Sequence, residues 1–341
     1  MAKIKREKLS VYDDFECRGN TTCIDSCCFA WDLPMDSETV EYYLNYEGEY
    51  GDFLRQNMFQ DEKGGWYIRQ KEHGRCPFLT SEKLCDVRLH AGEKAQIKIC
   101  DIYPRERNIT VGDYRQDRVL LACSEVARLL YTQTGDRLES VITFEESTAE
   151  VSEELKSRTE SLLAFRDGMV EGLQNGSFDK SLFESYETAA ELEKLLDDAL
   201  YFEGHEASEE VFRRVRSILP RVDELRTGFY DATKEAKTWL RKTAAYFAHR
   251  QLLDTIQDGS IQGPLLSVFR SVHLLELICL EEFDKKGTFD VEDMIFSAHI
   301  FGLIFEVSMH NILLLKQIRN TAKDEEYPEG ENSELRPMLY P

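Results

Sequence analysis

The sequence predicts a mainly α-helical protein, a helical bundle with a small cysteine-rich α+β region on its N-terminal side. Three observations lead there. Eight of the nine cysteines lie at or before Cys123, four of them between Cys17 and Cys28. From about residue 148 cysteine nearly vanishes and apolar residues recur at helical spacing. Between these stretches, short apolar pieces bounded by Gly and Pro read as brief strands. The chain divides accordingly into a cysteine-rich domain, 1–147, a helical domain, 148–322, and an acidic tail, 323–341, without regular structure.

Residues 1–16 lead in with basic and then acidic residues, and Tyr12 and Phe15 are expected to pack against the cysteine segment. That segment, Cys17-x5-Cys23-x3-Cys27-Cys28, is too polar and irregular for a strand and reads as a loop. Pro34 and Asp36 mark a helix start, Val40, Tyr43 and Leu44 continue it, and Gly48 is its expected end. A second short helix carries Phe53, Leu54 and Met58. Gly64-Gly65 is a turn before a strand at 66–70. Two extended pieces, 74–79 and 84–87, flank a turn at 80–83, and residues 99–105 close the cysteine region. Residues 119–131 begin as a strand and become helical, with Ser124 as N-cap.

In the helical part, Leu155, Leu162, Leu163, Phe165 and Met169 predict one long helix, and 182–202 a second. Ser208 caps a third, which Pro220 ends. A fourth runs over 229–256 with Trp239, Leu240, Ala244 and Phe247 as its stripe, stopping at Asp258-Gly259. Residues 265–280 and 290–315 are apolar nearly all round and read as buried helices.

The 64 acidic against 42 basic residues give a formal net charge of −22. Such a surface repels phosphate backbones, so nucleic acid is not expected as a partner. The charged start of the chain lacks the apolar core of a secretory signal. No apolar run reaches the ~20 residues that span a bilayer. A cytoplasmic protein is the expectation, with peripheral membrane association left open. In that reducing compartment the cysteines are thiols or metal ligands rather than disulfides.

A thiolate is a soft, strong ligand for zinc and iron–sulfur clusters. Cys17, Cys23, Cys27, Cys28, Cys76, Cys85, Cys100 and Cys123 are therefore the candidate metal ligands. Their spacing matches neither paired zinc-finger knuckles nor the ferredoxin run. Eight thiolates would complete two four-ligand sites, or one site with four to spare. His73 and His90 lie near the cysteines, but with eight thiols neither is required. His249, His273, His299 and His310 fall in helical stretches and read as buried, hydrogen-bonded residues, and Cys279 as a small core residue.

The cysteine motif, with Gly74-Arg75-Cys76-Pro77-Phe78-Leu79, Leu84-Cys85-Asp86, Cys100-x2-Tyr103-Pro104-Arg105 and Cys123-Ser124-Glu125-Val126-Ala127-Arg128, resembles the flagellin lysine-N-methylase family of bacteria. That family lies within a broader cysteine-rich, zinc- or iron-chelating group. The motifs cover roughly the first third of the chain, in order. Tyr246-Phe247-x-x-Arg250 and Asp258-Gly259 are similar more weakly. The resemblance implies S-adenosylmethionine-dependent methyl transfer to lysine amines of flagellin, with a 4Fe–4S cluster held by the cysteines and zinc as the alternative metal. On that reading Arg75 and Arg105 bind the carboxylate of the methyl donor or balance a cluster's charge, against the plainer alternative of structural salt bridges. Tyr103 orients the donor or relays a proton or electron, against simple packing. Asp101, like Asp86, holds the lysine substrate, against a solvated loop carboxylate. A non-catalytic iron–sulfur or zinc-binding protein, or another peptide-modifying enzyme on the same scaffold, is the alternative. No Gly-rich strand–turn–helix loop of the common methyltransferase kind is present to place the donor.

Overall fold

The structure, a computed structural model, describes every residue except 1, 18–22, 24–25, 29–32, 72–74, 149, 185–188, 199–205, 259, 307–308 and 317–341. The expected acidic tail, the helix stop at Gly259 and His73 lie outside the described residues.

The chain starts with β1 (Ala2–Leu9) and a short α1 (Val11–Asp14). A single turn over Ser26–Cys28 follows, then β2 (Leu33–Pro34), α2 (Ser37–Asn45), α3 (Gly48–Gln56), β3 (Met58–Gln60) and β4 (Trp66–Ile68). Next come α4 (Asp86–Ala91), α5 (Lys98–Ile102), β5 (Arg105–Val111), β6 (Tyr114–Val119), α6 (Ser124–Thr132) and β7 (Ser140–Ser147). The helical half opens with α7 (Glu153–Gln174), α8 (Asp179–Phe183), α9 (Ala189–Asp198) and α10 (Glu206–Ile218). It continues through α11 (Val222–Ala232), α12 (Ala236–Gln251), α13 (Thr255–Asp258), α14 (Gln262–Lys286), α15 (Val291–Phe305) and α16 (Met309–Lys316). The predicted mainly helical class with a small strand-containing N-terminal region is what the structure shows.

Among the described residues two large hydrophobic cores organise these elements, beside a small cluster of Tyr114, Leu163 and Leu253. The larger joins α12, α14 and α15 through Leu240, Phe247, Leu274, Leu277, Ala298 and Phe301, and takes in α6 through Val126, Ala127 and Leu130. The smaller lies within residues 33–97 and contains Val40, Tyr43, Leu54, Met58, Ile68, Phe78, Val87 and Ile97, with Cys76 buried among them. Cys28, Cys85 and Cys100 pack against this second core, so the thiols line its edge. A three-stranded antiparallel sheet, β2-β4-β3, belongs to it.

The second sheet has the order β5-β6-β1-β7. β1 runs parallel to β6 and antiparallel to β7, while β5 and β6 form a hairpin. Gly112 turns that hairpin at φ +59°, and a Cβ there would stand 3.3 Å from the Thr159 and Val151 side chains.

β1 is charged on both faces, and tertiary partners make that tolerable. Arg6 pairs with Asp117 and, at 2.6 Å, with Glu145 on the flanking strands. Glu7, on the opposite face, is 4% exposed. It accepts from the fully buried Arg166 guanidinium and from the Tyr114 hydroxyl, each at 2.7 Å, and faces His249 Nε2 at 3.2 Å. Burial pushes the Glu7 carboxyl up, and His249 and Arg166 bring it well below the usual carboxylate range. Burial pushes His249 down against the pull of Glu7, while the Arg166 charge favours the ionised Glu7 carboxylate.

Several expectations are corrected. Residues 2–9 form a central strand rather than a lead-in. Gly48 starts α3 instead of ending α2, because its φ of +80° suits the entry turn between the helices. Met58 has left α3 for β3. Residues 86–91 and 98–102, expected as extended or irregular, are helical turns. Ser124 is the first residue of α6 and Cys123 its N-cap. The helix expected over 182–202 is interrupted, and Ser208 lies inside α10 rather than capping it. The helix expected over 229–256 breaks after Ala232, where the buried Thr233 leaves helical geometry at ψ 93°. The helix expected over 290–315 is two helices, α15 and α16, the first started by a capping box between Asp290 and Asp293.

α14 differs from the sequence expectation in another way. Among the described residues it is the one helix long and apolar enough to cross a membrane by length and composition. Its apolar side chains are buried among the neighbouring helices, as in a core helix.

Two outcomes follow for stability. Arg166→Ala leaves Glu7 as a buried, poorly compensated charge and is expected to cost about 3–5 kcal/mol, read as a lower urea midpoint. His273 is 3% exposed, and burial, with help from the nearby Arg226 charge, pushes it down to about 4. The unfolded chain therefore binds a proton that the folded chain refuses. His273's contribution is complete above the ordinary histidine value of 6.5 and is lost as the pH falls toward 4. That loss reaches about 3 kcal/mol. Urea titrations from pH 7 to pH 4 should show a slope that His273→Gln reduces.

Candidate metal centre

The cysteines arrive from separate pieces of the chain. Cys17 follows α1, Cys27 and Cys28 sit on the single turn at 26–28, and Cys76 lies in the loop after β4. Cys85 and Cys123 cap the N-termini of α4 and α6, and Cys100 lies on α5. Backbone hydrogen bonds hold the pieces together. Cys76 N–H donates to the Cys28 carbonyl at 2.8 Å, and Lys83 Nζ reaches the Cys23 carbonyl at 3.2 Å. Leu79 and Cys85 form an isolated antiparallel bridge, and Cys100 N–H donates to the Ile97 carbonyl at 2.9 Å.

The sulfurs lie within electrostatic reach of one another. Cys27 and Cys28 Sγ are 3.7 Å apart, and that contact, then burial, then Cys76 and Cys100, drive the Cys28 thiol well up. Cys100 is raised by burial and then by Cys27, Cys76, Cys85 and Cys17. Burial pushes Cys76 up to about 12, with Cys85 and Cys27 adding to it. Cys123 is raised by burial, and Cys27 and Cys23 contribute. These couplings link all eight N-terminal cysteines in one neighbourhood. None of the nine cysteines forms a disulfide. Cys279 is elsewhere, in the bundle core, 3.8 Å from Met294 Sδ.

As placed, no three or more His, Cys, Asp or Glu side chains among the described residues stand close enough to grip one ion. The donor set nevertheless suits a thiolate-held metal. Mutual repulsion makes several thiolates in one place costly, and a cation or cluster relieves exactly that cost while requiring deprotonation. Cys85 and Cys123 add a local preference for the anion: backbone N–H groups of Arg88 and Val87, and of Val126 and Glu125, pull these thiols back down against burial.

The other candidate residues lie around this region. Arg75 is half-buried, and its Nη2 donates to the Thr80 carbonyl at 3.3 Å. Arg105 stacks on the rings of Tyr12 and Phe15, at 5.2 and 5.1 Å, and donates to both their carbonyls. It ties the lead-in to Cys17 down onto the start of β5. Asp101 is exposed on α5 beside Cys100, and Tyr103 is half-buried against the larger core, followed by a cis bond to Pro104. Asp86 accepts from the Tyr50 hydroxyl at 2.8 Å and pairs with His90 at 3.2 Å, so it is part of a polar cluster rather than a solvated loop carboxylate. His90 stacks on Tyr50 and is engaged there.

Sequence reasoning missed the residues behind Cys123. Ala122 is fully buried, with its N–H donating to Glu306 Oε2 at 3.1 Å and its carbonyl 2.9 Å from His299 Nδ1. Tyr246 and Arg250 converge on Glu306 Oε1 at 2.6 and 3.3 Å, which gives the faint Tyr246–Arg250 motif a place in the site's support. A buried glutamate in an apolar helix was the available signal.

Fold and site together define a mainly helical protein that gathers thiols at the edge of a small appended core. Comparison with curated proteins gives this a more particular setting. Over 117 residues, 33% of the chain, it is 29% identical to the flagellar biosynthetic protein FliU of Salmonella muenchen, covering 68% of that protein. It is equally identical over the same length to the lysine-N-methylases of Salmonella typhimurium and Salmonella choleraesuis, covering 29% of each. The chain thus spans less than a third of the matched methylases' length. These relatives bear out the resemblance to the flagellin lysine methylase family drawn from the cysteine motifs. No protein-family model matches the chain, and no solved structure matches it.

The raised thiols give a direct check. In metal-free protein at pH 8, iodoacetamide followed by peptide mass spectrometry should modify the exposed Cys17 first and the buried Cys76 and Cys123 last. Uniform labelling of all eight would contradict the burial order.

Proposed function

We propose that this protein is an S-adenosylmethionine-dependent protein lysine N-methylase that acts on flagellin and holds a 4Fe–4S cluster on its N-terminal cysteines. The observation that carries the reading is the gathering of eight thiols from separate chain segments into one neighbourhood, in a protein similar to named lysine-N-methylases. Cys17, Cys23, Cys27, Cys28, Cys76, Cys85, Cys100 and Cys123 are the ligand set from which the cluster's ligands are drawn. When bound, the cluster would supply one-electron chemistry.

The chain's own residues would take the remaining roles. Backbone N–H groups at the starts of α4 and α6 offset part of the burial penalty on the Cys85 and Cys123 thiolates. Arg75 and Arg105 would meet the donor's carboxylate or balance the cluster's charge. Asp101, exposed next to Cys100, would receive the substrate lysine, whose amine must be neutral to accept a methyl group. Tyr103 would orient the donor from its half-buried position. The formal charge of −22 suits a lysine-bearing protein surface.

Anaerobic purification with iron, sulfide and zinc analysis and a visible spectrum tests the centre. The expected protein is brown and contains iron and sulfide in equal amounts. Incubation with S-adenosylmethionine and flagellin should then add methyl groups to lysines, detected by mass spectrometry, and Cys28→Ser with Cys100→Ser should abolish both colour and methylation. A colourless zinc protein would overturn the cluster. Metal or cluster binding with neither donor affinity nor methyl transfer would turn the reading toward a non-catalytic carrier. Donor cleavage without flagellin methylation would point to another peptide substrate.

A further inference from the structure

Helix α15 approaches the turn before α6 more closely than side chains allow. A Cβ on Gly302 would lie 2.3 Å from the Ala122 nitrogen and 2.7 Å from its Cα, both backbone atoms that cannot swing aside. Glycine at 302 is thus what lets the helix backbone rest on residues 121–122. One turn earlier on the same helix, His299 Nδ1 meets the Ala122 carbonyl at 2.9 Å. Just past its end, Glu306 accepts the Ala122 N–H at 3.1 Å. Both peptide groups that flank Ala122 are therefore held, and the second of them leads directly into Cys123. Glu306 is held in turn by Tyr246 at 2.6 Å and Arg250 at 3.3 Å, from α12, while being only 3% exposed.

We propose that Gly302, His299 and Glu306 are positioning residues for the metal centre: they fix Ala122 through both of its peptide groups and so set where Cys123 presents its sulfur. The inference rests on the metal-binding reading above. It makes the helical half of the chain part of the centre's construction. Cys123 is the one N-terminal cysteine in the bundle core, while Cys76 is buried in the small core and Cys28, Cys85 and Cys100 pack against it. A metal bound by Cys123 and by any of the others bridges the two cores.

The test uses the full chain and Co²⁺ as probe under anaerobic conditions, following the thiolate-to-cobalt absorption bands. Gly302→Ala and Glu306→Ala are expected to weaken Co²⁺ binding roughly 10–100-fold, the usual cost of losing an outer-shell support, and to reduce the thiolate band per bound ion. Glu306→Gln, which keeps an acceptor oxygen for the Ala122 N–H, should recover much of the affinity. Leu277→Ala, a fully buried α14 residue away from the turn, is the control for simple destabilisation and should bind as wild type. Should Gly302→Ala fail to fold, the Glu306 pair carries the comparison. Wild-type binding in the Gly302 and Glu306 variants would overturn the proposal while leaving the metal reading intact, and equal losses in Leu277→Ala would overturn it as mere stability. Failure of the wild-type chain to bind Co²⁺ through thiolates would instead remove the metal reading beneath it.

Discussion

Residues 120–123 are held from three sides, and much of the structure depends on that turn. Leu120 N–H is tied to Pro104 at the start of β5, and the Val119 carbonyl accepts from Tyr246 on α12. Ala122 is locked to α15, and Cys123 opens α6, whose Val126, Ala127 and Leu130 enter the bundle core. A four-residue stretch thus joins a sheet, a bundle and the thiol neighbourhood. Gly302 leaves no room for a Cβ against Ala122, and both backbone polar groups of Ala122 have a partner.

The buried charges behind the sheet work by the same logic. Glu7, Arg166, Tyr114, Gln116 and His249 form one network under β1 and β6. Arg118 donates to Gln116 Oε1 at 2.8 Å and carries the network on through Asp254, Arg250 and Glu306 toward the Cys123 turn. Such groups cost more to desolvate than they return unless each has a partner of fixed geometry. Their partners tie the sheet to α7 through Arg166 and to α12 through His249.

The sequence was most legible where burial follows a period. α14 and α15 could be read because their apolar residues leave little room for another interpretation, and Asp290 marks the start of α15 chemically. The strand at residues 2–9 could not be read, since Lys3, Lys5 and Glu7 share one face and the partners that make Glu7 an interior residue, Tyr114, Arg166 and His249, lie far along the chain. The break between α11 and α12 carries no Gly or Pro, so helical pattern ran through it. For the candidate centre, cysteine count and clustering named the donors. Their geometry could not be foreseen, because helix starts at Cys85 and Cys123 and the grip of Glu306 on Ala122 depend on contacts across the whole chain.

The position of β1 has a consequence for how the molecule is assembled on the ribosome. This strand is made before either of its partners yet sits in the interior of its sheet, bound to β6 in parallel and β7 in antiparallel register. Its hydrogen-bonding edges stay unsatisfied until residues beyond 114, and then beyond 140, have been made. Meanwhile residues 33–97 contain the whole of the smaller core and depend on no later segment for it. The thiol-lined part can therefore be structured while the sheet is still open, with Cys123 the last of the eight cysteines to arrive. Long-range pairing of this kind is slow compared with local contacts, so the small core would form before the sheet closes.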